Sequence, residues 1–136
     1  MSIENIIDDF SFLDDWEDKY KYLIELGNSL PRFSDEQKKE EWKVPGCQSQ
    51  VWIIPHINNN KISFEGDSDA IIVRGIIAIV LEIFKDKTAK EILSIDVEKI
   101  FDKIGLREHI TSNRRSGMLS MVDKIKHYAE LADKET

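Results

Sequence analysis

Apolar residues recur at helical spacing near the start of the chain. Four of them occupy the i, i+4, i+7 and i+8 positions of one helical face: Trp16, Tyr20, Leu23 and Ile24. Asp14 is predicted to cap this helix, because Glu17 follows three residues later as in a capping box. Gly27 is predicted to end it, and Pro31 disfavours its continuation. The first well-marked element is therefore a helix with one buried face.

Two strands are predicted in the middle of the chain. Residues 51–54 are β-branched or aromatic, and Ile62 and Phe64 alternate with polar residues. The three asparagines 58–60 between them tolerate turn and left-handed conformations. The pattern indicates an antiparallel hairpin, with Cys47 just before its first strand.

A helix that is apolar on nearly every face follows the hairpin. It is predicted to run from about Asp69 to Phe84, with Ser68 or Asp67 as its cap, and to lie buried at the centre of the fold. Gly75 weakens such a helix by roughly 1 kcal/mol relative to alanine. A close packing contact at that position is the expected reason for the glycine.

Capping signals predict three more helices. Thr88 and Glu91 form a capping-box pattern, and Asp96 is predicted to cap a helix that ends before Gly105. The last helix is predicted to start near Asn113. Its apolar stripe consists of Met118, Val122, Ile125 and Ala129. Strands in the middle with helices on either side predict an α+β fold, a small antiparallel sheet packed against helices.

Composition and charge narrow the class of protein. A chain of 136 residues is predicted to form one domain, 1–136. The net charge of −7 argues against a nucleic-acid partner. The longest apolar stretch, 70–84, is interrupted by Arg74 and Glu82 and is too short to span a membrane. The first residues lack the charged and apolar regions of a secretory signal, and a single cysteine fits a reducing compartment. A cytoplasmic location is therefore expected.

The single cysteine, Cys47, is the main candidate for chemistry. One thiol cannot form an internal disulfide or fill a four-ligand metal site, so no metal site is predicted. Pro45 and Gly46 restrict the backbone before the thiol and remove a side chain beside it. Three polar, uncharged residues follow it: Gln48, Ser49 and Gln50. A free cysteine is often only a small buried hydrophobe, but this setting favours a loop that presents a thiol.

The segment Gly46–Trp52, Gly-Cys-Gln-Ser-Gln-Val-Trp, closely resembles the signature of the SufE family of sulfur acceptors. Further segments resemble the family's motifs, namely 16–27, 67–70, 72–75, 105–110 and 114–118. Because these segments are spread along the sequence, the resemblance extends over nearly the whole chain. The resemblance implies the fold shared by SufE and IscU-like proteins. It also implies that Cys47 receives a persulfide and that the protein binds no cofactor of its own.

The partners follow from the same resemblance. The sulfur donor is expected to be a pyridoxal-phosphate-dependent cysteine desulfurase of the SufS type, which the protein stimulates. The sulfur is expected to pass to an iron–sulfur cluster scaffold. The chain itself, with one cysteine, lacks the several cysteine ligands of a scaffold. It is expected to be an accessory sulfur-transfer protein rather than an independent enzyme.

The resemblance also suggests residues that shape the cysteine loop or contact the partner. Asp69 is placed near the loop, although a helix-capping role explains it equally well. Arg114 is a candidate for partner contact or loop tethering, and His109 is favoured as structural rather than catalytic. Gly46 and the polar residues Gln48, Ser49 and Gln50 are expected to shape the loop itself.

Three alternatives remain open from the sequence. A paralogous acceptor could feed another sulfur pathway, such as tRNA modification. A non-carrier regulator could dock on the desulfurase with Cys47 only at the interface. An independent thiol enzyme such as a peroxidase is disfavoured, because the chain has no resolving cysteine and no evident activating base.

Overall fold

The computed structural model describes residues 2–47, 49–106 and 112–134, which form an α+β fold. Its helices are α1 (Ile3–Ser11), α2 (Trp16–Asn28), α3 (Ile71–Phe84), α4 (Ala89–Ser94), α5 (Val97–Ile104) and α6 (Ser112–Lys134). Its strands are β1 (Val51–Asn58), β2 (Lys61–Ser68) and β3 (Lys87–Thr88), and a 3-10 helix spans Glu40–Trp42. The strands form one antiparallel sheet in the order β1-β2-β3, and one hydrophobic core joins it to the helices. The predicted fold class is confirmed.

The predicted hairpin is present, and its strands are longer than expected. β1 and β2 pair from Val51 opposite Ser68 to Asn58 opposite Lys61. The turn residues Asn59 and Asn60 have φ angles of 50° and 68°, the left-handed conformation that asparagine tolerates. Pro55 lies within β1. An edge strand tolerates proline, because the missing N–H would face away from the neighbouring strand.

The first helix, α1, was not predicted. Ser2 caps it by accepting a hydrogen bond from the Asn5 N–H at 3.2 Å, and Ile6 and Phe10 are buried. The predicted cap of α2 was wrong by one residue. Asp15, not Asp14, accepts the hydrogen bond from the Asp18 N–H at 2.8 Å.

Two glycines allow α2 and α3 to touch through their backbones. A Cβ atom on Gly75 would collide with the carbonyl oxygen of Leu23, and one on Gly27 would lie 2.7 Å from the nitrogen of Gly75. The close contact expected at Gly75 is confirmed. The prediction that Gly27 ends α2 was wrong, because the helix continues through Asn28 and uses this glycine for packing.

The central helix α3 begins at Ile71, two residues later than predicted, with Ala70 at its cap position. Neither expected residue caps it in the usual way. The Ser68 hydroxyl accepts a bond from the Ala70 N–H, and Asp67 is buried on β2, paired with Arg74. The cap prediction failed because the carboxylate has a buried cationic partner that is one helical turn inside α3.

The remaining helices begin and end close to the predicted positions. Both hydrogen bonds of the Thr88–Glu91 capping box are present. Asp96 caps α5, which ends at Ile104 and is followed by Gly105 with a φ of 83°. α6 includes Ser112, one residue before its predicted start, and its predicted apolar stripe is buried. Within the described residues, no helix combines the length and the apolar character needed to cross a bilayer.

Candidate functional site

The cysteine loop, residues 44–50, leaves and rejoins the same edge of the sheet. The Val44 N–H donates to the Val51 carbonyl at 2.8 Å, and the backbone of Lys43 forms an isolated antiparallel β-bridge with Trp52. Gly46 has a φ of 82°, a left-handed conformation that favours glycine. The loop is therefore closed at its base, with Cys47 near its middle.

Asp69 joins the end of the cysteine loop to the segment before α3. Its carboxylate accepts a hydrogen bond from the Gln50 N–H at 3.1 Å, and its own N–H donates to the Gln50 carbonyl at 3.3 Å. The structure thus places Asp69 at the loop rather than at a helix cap. The effect of this residue on sulfur transfer stays a prediction.

The Cys47 side chain is half-buried and faces a cavity between the loop, α3 and α6. Its Sγ atom lies 3.7 Å from the carbonyl oxygen of Gly117, a weak S–H···O contact. The cavity has a volume of about 300 Å³. Besides Cys47, its lining consists of Ser49, Val51, Ala70, Val73, Ile76, Arg114, Gly117, Met118 and Met121.

The cavity beside the thiol is lined by apolar side chains together with polar groups, among them the Arg114 guanidinium. Burial raises the pKa of the Cys47 thiol above its ordinary value. The thiol is therefore predominantly protonated at neutral pH, and the resting protein presents a weak nucleophile. Apart from Cys47, Arg114 is the only ionisable residue among the described residues that line this cavity.

A buried ion pair supports the elements around the cavity. The Arg74 Nε atom donates to the Asp67 carboxylate at 2.8 Å, and the two side chains are 4% and 1% exposed. Asp67 also accepts the N–H of Phe33 at 2.9 Å, and the Arg74 guanidinium donates to the Leu30 carbonyl at 2.7 Å. The pair ties α3 to the segment that follows α2, and it gives Arg74 a structural role.

The structure brings together most of the residues proposed from the sequence. Gly46, Ser49, Gln50, Asp69 and Arg114 lie on the cysteine loop, against it or at the cavity. Gln48 and His109 lie outside the described residues. The described residues contain no group of three or more His, Cys, Asp or Glu side chains that could hold a metal ion.

The sequence does not predict the part of the site that α6 provides. Met118 is predicted only as a core residue, and Gly117 and Met121 are not predicted to line a site, yet all three line the cavity. Gly117 follows Arg114 by three residues, and this spacing puts both on one helical face. The spacing of Arg114 and Gly117 is therefore the feature of the sequence that could have indicated that this face of α6 borders the site.

The described residues thus present a single half-buried thiol on a loop of an α+β fold, beside a cavity. The SufE family profile, described as an Fe-S metabolism associated domain, matches residues 4–129. The chain belongs to the SufE family. Membership implies a place in iron–sulfur metabolism, with a SufE-like sulfur-acceptor role and a cysteine desulfurase as partner.

Individual relatives agree with this assignment. An uncharacterised SufE-like protein of Rhizobium etli is 52% identical over 134 residues, covering 96% of this chain and 90% of the relative. Another from Rhizobium meliloti is 52% identical over 133 residues, covering 95% of each chain. The solution structure of a hypothetical protein from Thermus thermophilus has the same fold. It has a TM-score of 0.77 at 16% identity, and the match covers 98% of this chain and 99% of that one.

Proposed function

We propose that Cys47 accepts sulfur from a persulfide on a pyridoxal-phosphate-dependent cysteine desulfurase of the SufS type. The Cys47 thiolate attacks the terminal sulfur of the enzyme persulfide. The sulfur–sulfur bond of the donor breaks as a new one forms on Cys47, so the products are a Cys47 persulfide and the enzyme thiolate. The exchange conserves the number of sulfur–sulfur bonds, so it needs no external oxidant or reductant.

The observation that carries this proposal is the cavity beside Cys47. Its volume of about 300 Å³ is far larger than the roughly 30 Å³ that one water molecule occupies in the liquid. An additional sulfur atom on Cys47 can therefore remain within the protein. Apolar side chains from α3 and α6 form part of the lining around that atom, beside Ser49 and the Arg114 guanidinium.

The raised pKa of Cys47 fits a carrier that is inactive until it docks. Thiol exchange requires the thiolate, and a protonated thiol reacts slowly with stray electrophiles and disulfides. Docking supplies the activation in this proposal, by exposing the thiol or by placing cationic or proton-accepting groups of the desulfurase beside it. Accepting the sulfur regenerates the enzyme cysteine and so stimulates the desulfurase.

The destination of the sulfur in this proposal is an iron–sulfur cluster scaffold in the cytoplasm. The association of the family with iron–sulfur metabolism supports that destination over another sulfur pathway. The chain acts as an intermediate carrier and binds no cofactor of its own, since the pyridoxal phosphate belongs to the desulfurase.

The direct test is Cys47→Ser, assayed by stimulation of a SufS-type desulfurase when reductant is limiting. The variant is expected to fold with an unfolding free energy within about 1 kcal/mol of wild type, because serine is nearly isosteric with cysteine. It is expected to bind the desulfurase but to give no stimulation.

A matched control restores a thiol elsewhere. The double variant Cys47→Ser, Ser94→Cys carries one exposed thiol at the end of α4, away from the cavity lining. It is expected to remain inactive as an acceptor, which shows that position and not thiol content matters. Stimulation by Cys47→Ser alone would instead identify the protein as a regulator that carries no sulfur.

A further inference from the structure

The negative charge of the chain is concentrated in its first two helices. Residues 1–28 contain eight carboxylates and two lysines, so they carry −6 of the chain's net −7. The remaining residues are close to neutral, with eighteen carboxylates and seventeen basic side chains. Because the two helices lie next to each other and all eight carboxylates are exposed, the negative charge is grouped on one part of the protein surface.

An apolar groove lies within this acidic region. The acidic groove, as we call it, has a volume of about 420 Å³ and is lined by Asp9, Phe12, Leu13, Asp18, Lys21, Tyr22 and Glu25. Phe12 is 82% exposed, the largest exposed fraction among the exposed large hydrophobic residues described. Phe12 shares the groove with Leu13 and Tyr22, so its exposed ring is part of a group of apolar side chains, which is the arrangement that marks contact surfaces.

The floor of the acidic groove is held in place before any partner binds. The Tyr22 hydroxyl donates to the Asp9 carboxylate at 2.5 Å, and its ring packs 4.9 Å from the ring of Phe10. Burial, the hydrogen bond to Asp9 and the charges of Asp9 and Glu25 raise the pKa of Tyr22. The lining of the groove itself contains three carboxylates, from Asp9, Asp18 and Glu25, and one lysine, Lys21.

We infer that the acidic groove is a docking site for a partner protein, which contributes a basic amphipathic segment. An apolar side chain of that segment would pack against Phe12 and Tyr22, and its lysine or arginine residues would meet the surrounding carboxylates. The complementarity of charge identifies this occupant, since the groove is apolar within a rim that is strongly negative.

Other occupants fit the charge less well. An anionic lipid surface and a nucleic acid would both be repelled by the carboxylates of residues 1–28. A second copy of this chain would bring a further −7 and only a nearly neutral surface outside its own acidic helices. These occupants are therefore outcomes that would contradict the inference.

The acidic groove is separate from the Cys47 cavity. The described residues that line the two have no member in common. The two sites are built from different residues, and the inference does not depend on the sulfur-acceptor role. Failure of one leaves the other intact.

The test uses a helical peptide of leucine and lysine, with leucines at i, i+3, i+4 and i+7 spacing, titrated into the full chain. Amide chemical shifts are expected to change in residues 9–25 and not around Cys47. Phe12→Ser is expected to weaken binding at least about tenfold, because it removes the central apolar contact. The double variant Asp18→Asn, Glu25→Gln is expected to weaken binding and to reduce its salt dependence.

Two controls separate docking from general attraction to an acidic protein. The double variant Asp123→Asn, Glu130→Gln removes the same charge from exposed positions of α6 and is expected to change the affinity less than about twofold. A peptide with glutamate in place of lysine is expected not to bind. Equal binding to wild type and Phe12→Ser would overturn the inference. So would shifts spread over the whole surface, self-association through the groove, or binding of anionic vesicles there.

Discussion

Cys47 combines a position on a loop with a half-buried sulfur atom. The loop position permits transfer to another protein, while burial raises the pKa of the thiol and keeps it protonated. The contact with the Gly117 carbonyl suits a neutral thiol better than a thiolate. In the resting protein the thiol is therefore expected to be protonated and slow to react.

The pH dependence of Cys47 alkylation tests this point. Because burial raises the pKa, the thiolate fraction at any given pH is lower in the folded protein than in the unfolded chain. The midpoint of the rate of reaction with iodoacetamide is expected at a higher pH in native protein than in the same chain in denaturant. A native midpoint at or below the denatured one would show an activated thiol and contradict the account.

Gly46 provides the backbone conformation that sets the position of Cys47. Replacing it with alanine would place a Cβ atom 3.0 Å from the Ser120 hydroxyl and would force a left-handed conformation on an L-residue. Gly46→Ala is expected to lower the free energy of unfolding by about 1–2 kcal/mol, measured by urea denaturation. It is also expected to slow sulfur acceptance, because the loop must shift.

Gly117→Ala is the matched control for Gly46→Ala. A Cβ atom there lies 3.5 Å from the Cys47 sulfur, an ordinary contact, and alanine favours the helix by roughly 0.5–1 kcal/mol. This variant is expected to be no less stable than wild type. Equal losses in both variants would show that the left-handed conformation is not the cause.

At the scale of elements, the cysteine loop is held by neighbours that come from distant parts of the sequence. β1 closes the base of the loop, Asp69 binds the loop at Gln50, and α6 forms the opposite wall of the cavity. The Asp67–Arg74 pair fixes α3 behind them. Small shifts of α3 therefore alter both the loop and the cavity.

The buried pair gives a stability prediction with a defined pH dependence. Burial raises the pKa of Asp67, but the N–H groups of Phe33 and Ser68 and the Arg74 guanidinium outweigh burial and lower it. Asp67→Asn leaves Arg74 with a buried, uncompensated charge and is expected to cost about 3 kcal/mol near neutral pH. Urea unfolding at a series of pH values measures this cost.

The sign of the pH effect follows from the lowered pKa. The contribution of the Asp67 carboxylate is complete above its ordinary value of 3.8 and is lost as the pH falls below it. The difference between wild type and Asp67→Asn is therefore expected to shrink in acid. Glu98→Gln, which breaks an exposed pair with Arg115, is expected to change stability by less than about 1 kcal/mol. Equal losses in the two variants would contradict the role of the buried pair.

Structural features that depend on neighbouring residues could be predicted from the sequence, and features that depend on contacts between distant residues could not. The Thr88–Glu91 capping box and the asparagine turn depend on residues within a few positions of each other, and both are present. The start of α3 depends on Asp67 binding Arg74 and the distant Phe33, and the sequence carries no mark of that pairing. The α1 helix could have been predicted from the sequence, because Ile6 and Phe10 are four residues apart and lie on one helical face.

The candidate site shows the same division. Cys47 and its loop were identified from adjacent residues and from the family resemblance. The cavity required α3 and α6 to come together, and their lining residues are separated by about forty positions along the chain. Periodicity assigned Met118 correctly to a buried face but gave no indication that the face borders an open space.

At the scale of the whole molecule, the chain has two candidate functional regions with different physical character. One is the cavity beside the single thiol, and the other is the acidic groove on the first two helices. We propose that the cavity holds the transferred sulfur atom and that the groove binds a basic partner. The two regions together fit a protein that works between other proteins.

The central claim is that Cys47 carries sulfur, and intact-protein mass spectrometry tests it most directly. The chain is incubated with a SufS-type desulfurase, pyridoxal phosphate and free cysteine, without reductant. The account predicts a gain in mass of whole sulfur atoms that maps to Cys47, that is removed by reductant and that is absent in Cys47→Ser. Tight binding to the desulfurase with no gain in mass would contradict the account.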